Sequence, residues 1–166
     1  MSLDKMIILI GEESPSKISL LEQLRSDYNL YIPKRITTNS EYDAYPSLYQ
    51  VVSEENISSY FDQGIVKSIA YSNKGISFNT SNEIGKGIAE LYNGNIPGMV
   101  LNVDTTELGY YLKMYPTASI LGYATEMEEM EPFKEILPDI ITKEKEGITK
   151  ILSYLNARDN NKNYRI

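Results

Sequence analysis

The amino-acid sequence predicts an α/β fold in which a parallel sheet is flanked by helices. Two short runs rich in apolar residues, Met6–Ile10 and Met99–Val103, indicate strands buried on both faces, as in parallel sheets. A segment with helical periodicity follows each of them, and this alternation is typical of a doubly wound sheet. The length of 166 residues suits one domain with a sizeable core.

The remaining core elements follow from periodicity and from helix start and stop signals. Leu20, Leu21, Leu24 and Tyr28 recur at helical spacing and predict a helix over residues 17–28. A second helix begins near Thr80 and ends at the Asn93-Gly94 pair. Further along the chain we predict a helix over 105–115, strands over 118–121 and 140–141, and a final helix over 144–155.

Residues 33–82 have a different texture and predict a small β-rich insertion. Strands are expected over 48–52, 65–71 and 76–78, the last two around the Asn73-Lys74-Gly75 turn, with a short helix over 53–63. The predicted organisation is one domain, with a core of 5–32 and 83–157, the insertion at 33–82, and a polar, frayed tail at 158–166.

Composition excludes several chemistries. The chain has 23 acidic and 16 basic residues, a net charge of −7, and no His or Cys. Catalytic triads that use His, Cys nucleophiles, His-based zinc sites and disulfides are therefore excluded. Phosphoryl transfer remains possible, since it depends on positioning and charge. Phosphoryl-transfer enzymes usually hold the phosphates with arginines, and this chain has few of them. The four are Arg25, Arg35, Arg158 and Arg165.

Charge also bears on partners and location. A sequence pI near 4.7 argues against nucleic-acid binding and against binding to anionic membranes, because both need a basic face. The apolar run Met6–Ile10 is too short for a membrane span or a signal-peptide core. With no cysteine in the chain, we expect a cytoplasmic protein.

The segment after the first predicted strand, residues 11–19, lies where a phosphate-binding loop would occur. Gly11 and Lys17 fit the G-x-x-x-x-G-K-[ST] pattern, but Ser16 replaces its second Gly and Ile18 replaces its metal-binding hydroxyl residue. Pro15 offers no N–H to a phosphate. The carboxylates of Glu12 and Glu13 would repel a phosphate.

Two interpretations of this loop remain open. It is either a degenerate phosphate loop, with Lys17 as the phosphate lysine, or a plain turn, with Ser14 as helix cap and Lys17 solvated. The candidate residues of a degenerate loop are Gly11, Ser14, Ser16, Lys17 and Ser19.

Five local strings, in order, resemble guanylate kinase, the P-loop enzyme that transfers phosphate from ATP to GMP. They are Lys17-Ile18-Ser19-Leu20-Leu21, Ile36-Thr37-Thr38-Asn39, Tyr49-Gln50-Val51-Val52-Ser53-Glu54-Glu55, Lys74-Gly75-Ile76-Ser77-Phe78-Asn79-Thr80-Ser81 and Val100-Leu101-Asn102-Val103-Asp104. The resemblance implies a P-loop NTPase-like sheet and an insertion that binds a nucleoside monophosphate.

The resemblance also implies a monophosphate pocket. Tyr49, Thr80 and Asp104 match the residue types that hold GMP in the family, and Phe78 keeps a ring without its hydroxyl. Asn39 and Ser68 stand where the family has a phosphate-binding Arg and the guanine-reading Glu, so phosphate affinity and guanine specificity are expected to fall. Arg35, with Lys34 beside it, is the candidate replacement for the phosphate clamp. Asp104 is equally suited to cap the helix that follows it.

The resemblance places an Arg-rich lid between the last two strands, and here that segment, residues 124–133, contains no Arg. We expect a reduced lid, a solvated helical turn that packs Met127, Met130 and Phe133 inward. The alternative is a carboxylate cluster for a divalent cation. Tyrosines of the insertion, Tyr42, Tyr45, Tyr49 and Tyr71, either stack on a base or fill half-buried strand faces.

Three functions follow from these residues. The favoured one is a guanylate-kinase-like pseudoenzyme with impaired ATP binding and a residual pocket for a GMP-like small molecule. The second is an active nucleoside monophosphate kinase, which would use ATP and Mg²⁺ with Lys17 as the catalytic lysine. The third is an interaction module that binds a phosphorylated or acidic peptide.

Overall fold

The computed structural model describes the backbone of residues 4–164 and the side chains of residues 4–156. The described chain alternates strands and helices in the following order: β1 Met6–Ile10, α1 Pro15–Tyr28, β2 Arg35–Thr37, β3 Tyr49–Val51, α2 Ile57–Asp62, β4 Ala70–Ser72, β5 Gly75–Asn79, α3 Ser81–Tyr92, β6 Met99–Val103, α4 Leu108–Met114, β7 Ser119–Tyr123, β8 Ile140–Ile141 and α5 Glu144–Tyr164. Short 3-10 helices cover Ser40–Ala44, Glu54–Asn56, Thr105–Glu107 and Met127–Phe133.

The larger sheet is a four-stranded parallel sheet with strand order β6-β1-β7-β8, as the α/β prediction requires. β1 is one of the two inner strands, between β6 and β7, and all five of its residues are buried. Alternate side chains of β1 face opposite layers, since successive strand residues point to opposite faces. Ile7 and Leu9 pack with residues of α1 and α5, whereas Met6, Ile8 and Ile10 pack with residues of α3 and α4. The fold class predicted from the sequence is therefore confirmed.

The smaller sheet is four-stranded, with order β3-β2-β5-β4. β2 pairs in parallel with β3 and antiparallel with β5, and β4 pairs antiparallel with β5 through the two-residue turn Asn73-Lys74. Its core is a separate apolar cluster built on Ile36, Ile57 and Phe78. This sheet corresponds to the predicted β-rich insertion.

The two sheets meet at the carboxyl end of β6. The chain enters the insertion beside the parallel sheet, because Tyr31 forms an isolated parallel bridge with Met99. It returns through β5, whose last residue Asn79 donates from Nδ2 to the carbonyl oxygen of Asn102 at 3.1 Å. A site at this junction is thus bounded by β6 on one side and by β2 and β5 on the other.

Several predicted elements need correction. The strand predicted over 65–71 is confined to Ala70–Ser72, because Val66 makes only an isolated bridge with Thr80. The final helix continues to Tyr164 and does not end at Leu155. The side chains of the tail predicted to be frayed, 158–166, lie outside the described residues.

The predicted lid segment forms a 3-10 helix, Met127–Phe133, with Pro132 inside it. Met130 is fully buried against Ala124 and Leu137, and Phe133 packs against the same cluster. Met127 is 52% exposed, so its predicted inward packing is wrong. A 3-10 helix has three residues per turn, which places Met127, Met130 and Phe133 in one row along the segment. Met127, the first residue of that row, lies outside the apolar cluster that contains Met130.

Candidate functional site

The loop between β1 and α1 is closed by hydrogen bonds of its own residues. The backbone N–H of Gly11 donates to the carbonyl oxygen of Val103 at 3.1 Å. Ser14 is the N-cap of α1, and its Oγ accepts from the backbone N–H of Lys17 at 3.1 Å. Pro15 occupies the first helical turn, where a missing N–H has no cost. The cap predicted for Ser14 is therefore present.

Lys17 points into the protein. Its side chain is 1% exposed, so the solvated alternative for this lysine is wrong. The Nζ atom donates to the carbonyl oxygen of Gly11 at 2.7 Å and to that of Val103 at 2.9 Å. Burial, with the nearby charge of Arg35, lowers the pKa of Lys17 to about 8. The ammonium group thus joins the ends of β1 and β6.

The remaining loop-like candidates also have partners within the chain. Ser16 Oγ is hydrogen-bonded to the hydroxyl of Tyr123, and Ser19 Oγ donates to Glu144 Oε2 at 3.0 Å. Ile18, at the position of the metal-binding hydroxyl residue, is 3% exposed and belongs to the core.

ATP and Mg²⁺ do not fit this loop. Its lysine and its three serines are hydrogen-bonded within the chain, and Glu12 and Glu13 of the same loop add negative charge. Among the described residues, no group of three acidic side chains is placed to hold a metal ion. The carboxylate cluster predicted as an alternative for the lid is therefore not formed.

Arg35 is the charged centre of the junction between the sheets. It is 1% exposed and lies on β2. Nη1 donates to the carbonyl oxygen of Asn102 at 2.8 Å, while Nη2 donates to Ser77 Oγ at 3.0 Å and to Glu107 Oε1 at 2.8 Å. Burial opposes the charged form, but the charges of Glu107 and Glu13 outweigh it and raise the pKa of Arg35.

Glu107 is the partner that the sequence did not reveal. Its carboxylate is fully buried, and Oε1 accepts both from Arg35 and from the backbone N–H of Asp104 at 3.1 Å. Oε2 accepts from Ser68 Oγ at 2.6 Å. Asp104 and Glu107 form a capping box, and the spacing Asp-x-x-Glu after a strand is the signal that predicts it.

A cavity of about 450 Å³ opens between the loop after β1 and the small sheet. It lies at the carboxyl end of β6, where ligands bind in doubly wound folds. Its lining consists of Glu12, Glu13, Asn39, Tyr42, Ala70, Tyr71, Ser72, Asn73, Lys74, Ser77, Asp104, Thr105 and Thr106. Of the predicted monophosphate-pocket residues, Asn39 and Asp104 are on this lining.

The other pocket candidates are placed around the cavity without lining it. Tyr49 is 3% exposed, stacks on Tyr42 with a centroid distance of 4.5 Å, and accepts from Asn102 Nδ2 at 3.0 Å. Phe78 is fully buried in the apolar core of the small sheet. Thr80 caps α3, Ser68 is bonded to Glu107, and Arg35 lies behind the wall.

Asp104 is the helix cap that one of the two predictions for its position requires, and its role as a ligand-site residue stays a prediction. It lines the cavity, and its Oδ2 accepts from the backbone N–H of Thr106 at 3.0 Å as the cap of the following 3-10 helix. Asn39 caps the 3-10 helix Ser40–Ala44 through Oδ1.

The structure is similar to a solved guanylate kinase from Anaplasma phagocytophilum. The TM-score is 0.64 at 16% sequence identity, over 94% of this chain and 86% of that chain. No protein-family model matches the chain, and no curated protein matches it by sequence. The similarity therefore defines the class of fold, a guanylate-kinase-like α/β fold. Within the described residues, no helix is long and apolar enough to cross a membrane.

Proposed function

We propose that this chain is a guanylate-kinase-like pseudoenzyme that does not transfer phosphate from ATP. The observation that carries the proposal is the position of Lys17, whose Nζ donates to the carbonyl oxygens of Gly11 and Val103 while the side chain is 1% exposed. A phosphate lysine must place this group on the β- and γ-phosphates of the nucleotide.

The cost of moving Lys17 supports the proposal. To reach a phosphate, its Nζ would have to break two hydrogen bonds of 2.7 and 2.9 Å. Each bond to a charged group contributes about 1.5 to 3 kcal/mol. The approaching phosphate would meet Glu12 and Glu13, which belong to the loop and line the cavity. Moving Lys17 and bringing a phosphate close to these carboxylates would therefore both weaken the binding of ATP.

The positions of the arginines support the same conclusion. In phosphoryl transfer, an arginine that stabilises the transferring group raises the rate by roughly 10³ or more. The lid segment 124–133 contains no Arg. Arg35 is engaged by Glu107, Ser77 and the carbonyl of Asn102. Within the described side chains, this leaves Arg25, which forms an ion pair with Glu22 on α1.

The sequence also predicted a residual GMP-like pocket, and the position of the 450 Å³ cavity supports a ligand site there. Its carboxylates and the engagement of Arg35 argue against a phosphate as the group it holds. A cytoplasmic location and the domain boundaries at 33–82 and 124–133 remain predictions.

The proposal is tested by a coupled assay of ATP turnover with GMP as acceptor and Mg²⁺ present. The wild-type protein should turn over ATP no faster than Lys17→Ala does, with or without GMP. An active kinase, the second candidate from the sequence, would show GMP-dependent turnover that Lys17→Ala abolishes. That result would overturn the proposal.

A further inference from the structure

We propose that the cavity between the loop after β1 and the small sheet binds a ligand with a guanidinium or ammonium group beside a neutral hydrogen-bond acceptor. This inference rests on the proposed function in one respect: the chain does not use the cavity to hold GMP.

Three carboxylates line the cavity: Glu12, Glu13 and Asp104. Glu12 has no hydrogen-bond or ion-pair partner in the part of the chain that the structure describes. Glu13 forms an ion pair with Arg35 Nε at 3.8 Å and accepts a hydrogen bond from the Tyr42 hydroxyl, although its buried Oε1 has no hydrogen-bond donor. Lys74 is the cation on the lining, but it is paired with Glu41 at 3.2 Å. The wall therefore favours a positive group in the cavity.

The cations behind the wall do not cancel this charge. Arg35 and Lys17 are both buried, but Arg35 is paired with Glu107 at 2.8 Å as well as with Glu13 at 3.8 Å. The four carboxylates of Glu12, Glu13, Asp104 and Glu107 thus face two buried cations. Because the surrounding protein screens charges less than water does, the excess negative charge acts strongly at short range. A cationic ligand would neutralise it.

Unused hydrogen-bond donors indicate a second feature of the ligand. Asn39 is 9% exposed and lines the cavity, and its Oδ1 accepts from the backbone N–H of Glu41 at 3.0 Å. Its Nδ2 has no acceptor among the described residues. Ser77 is 6% exposed, and because its Oγ accepts from Arg35, its hydroxyl hydrogen is free to donate. Both groups can therefore donate a hydrogen bond to a neutral acceptor on a ligand in the cavity.

The remaining lining suits an organic cation. The rings of Tyr42 and Tyr71 lie on the lining, and Tyr71 is 69% exposed. A guanidinium or ammonium group near a tyrosine ring gains about 0.5 to 1 kcal/mol at an exposed site. The cavity volume of about 450 Å³ is within the range of small-molecule sites.

The test is isothermal titration calorimetry of the full-length protein with three probes: N-acetyl-arginine amide, N-acetyl-citrulline amide and GMP. The first two probes have nearly the same shape and share two amide carbonyls, but citrulline carries a neutral urea, with one further carbonyl, in place of the guanidinium group. The arginine probe should bind at least about tenfold more tightly than the citrulline probe, and more tightly than GMP. Glu12→Gln should weaken binding of the arginine probe about fivefold.

Glu55→Gln is the matched control, because Glu55 is exposed on the 3-10 helix Glu54–Asn56 and does not line the cavity. It should leave binding unchanged. Equal binding of the two amide probes, tighter binding of GMP, or no binding of the arginine probe would overturn the inference. The ATP–GMP assay on the same preparation separates the two failures: turnover would refute the pseudoenzyme, whereas an inactive protein that does not bind the arginine probe refutes only the cation site.

Discussion

Arg35 Nη2 and Glu107 Oε1 form a fully buried ion pair of 2.8 Å that joins the small sheet to the carboxyl end of the parallel sheet. The two residues are separated by 72 positions in the sequence. Arg35 also donates to the carbonyl oxygen of Asn102 on β6. The candidate phosphate clamp is therefore a structural link between the two sheets.

Breaking this pair on one side should destabilise the protein strongly. Glu107→Gln keeps an acceptor for the Asp104 N–H and places its amide NH₂ as a donor to Ser68 Oγ, but it leaves the buried guanidinium without its nearest counter-charge. Removal of one partner of a buried pair typically costs about 3 to 5 kcal/mol, and we expect a loss at the low end because Glu13 is 3.8 Å away. Urea denaturation measures the change.

The exposed pair of Lys74 and Glu41 provides the control for this experiment. Both side chains are more than 60% exposed, at 65% and 64%. Lys74→Met should therefore change the free energy of unfolding by less than about 0.5 kcal/mol. A Glu107→Gln protein within about 1 kcal/mol of wild type would contradict the account of the buried pair.

Stability should rise with pH because of Lys17. Its pKa is lowered from 10.5 to about 8 in the folded protein, so the unfolded chain binds more protons between these two values. Stability then increases as pH rises through this window, by about 2 kcal/mol between pH 7.5 and 9.5. Tyr49 and Tyr42 have raised pKa values, and their contribution to stability is lost only above pH 10, outside the measured window.

Lys17→Met is the control for the pH dependence, since it removes the titrating group and keeps an apolar side chain of similar length. Urea midpoints of wild type and variant, measured at several pH values from 7.5 to 9.5, should diverge as the pH rises. Parallel curves for the two proteins would mean that Lys17 does not titrate in this range.

Gly11 should be required for packing, independently of any phosphate. A Cβ atom built there would lie 2.0 Å from the carbonyl oxygen of Tyr123, which is backbone and has little room to move. Gly11→Ala should therefore cost about 3 kcal/mol, as measured by thermal or urea denaturation. Gly85→Ala in α3 has nothing within 4 Å of the added Cβ and should be neutral or stabilising by up to about 1 kcal/mol. Equal stability of both variants would refute the packing argument.

The sequence predicted the elements whose signals are local. The two apolar runs form strands that are buried on both faces, Met6–Ile10 and Met99–Val103. Helix α3 has the predicted limits, with Thr80 as its N-cap and Asn93 as its C-cap. β2 was not predicted, since the three residues Arg35, Ile36 and Thr37 have no strand pattern of their own. That strand exists because β3 and β5 pair with it from distant parts of the chain.

The candidate site was predictable in position but not in detail. The motif placed Lys17 at the start of α1 beside the loop, and spacing alone does not determine where a long side chain points. Its direction is set by the carbonyl oxygen of Val103, which is 86 residues away in sequence. The ion pair of Arg35 and Glu107 depends on the same kind of tertiary contact.

The loop after β1 is held by the protein's own groups, and we propose that it does not bind ATP. A crystal structure of the protein soaked with ATP, Mg²⁺ and GMP tests it most directly. We predict that Lys17 Nζ remains within hydrogen-bond distance of the carbonyl oxygens of Gly11 and Val103, with no phosphate density at the loop. Density for a triphosphate with Lys17 Nζ bound to its oxygens would contradict the account.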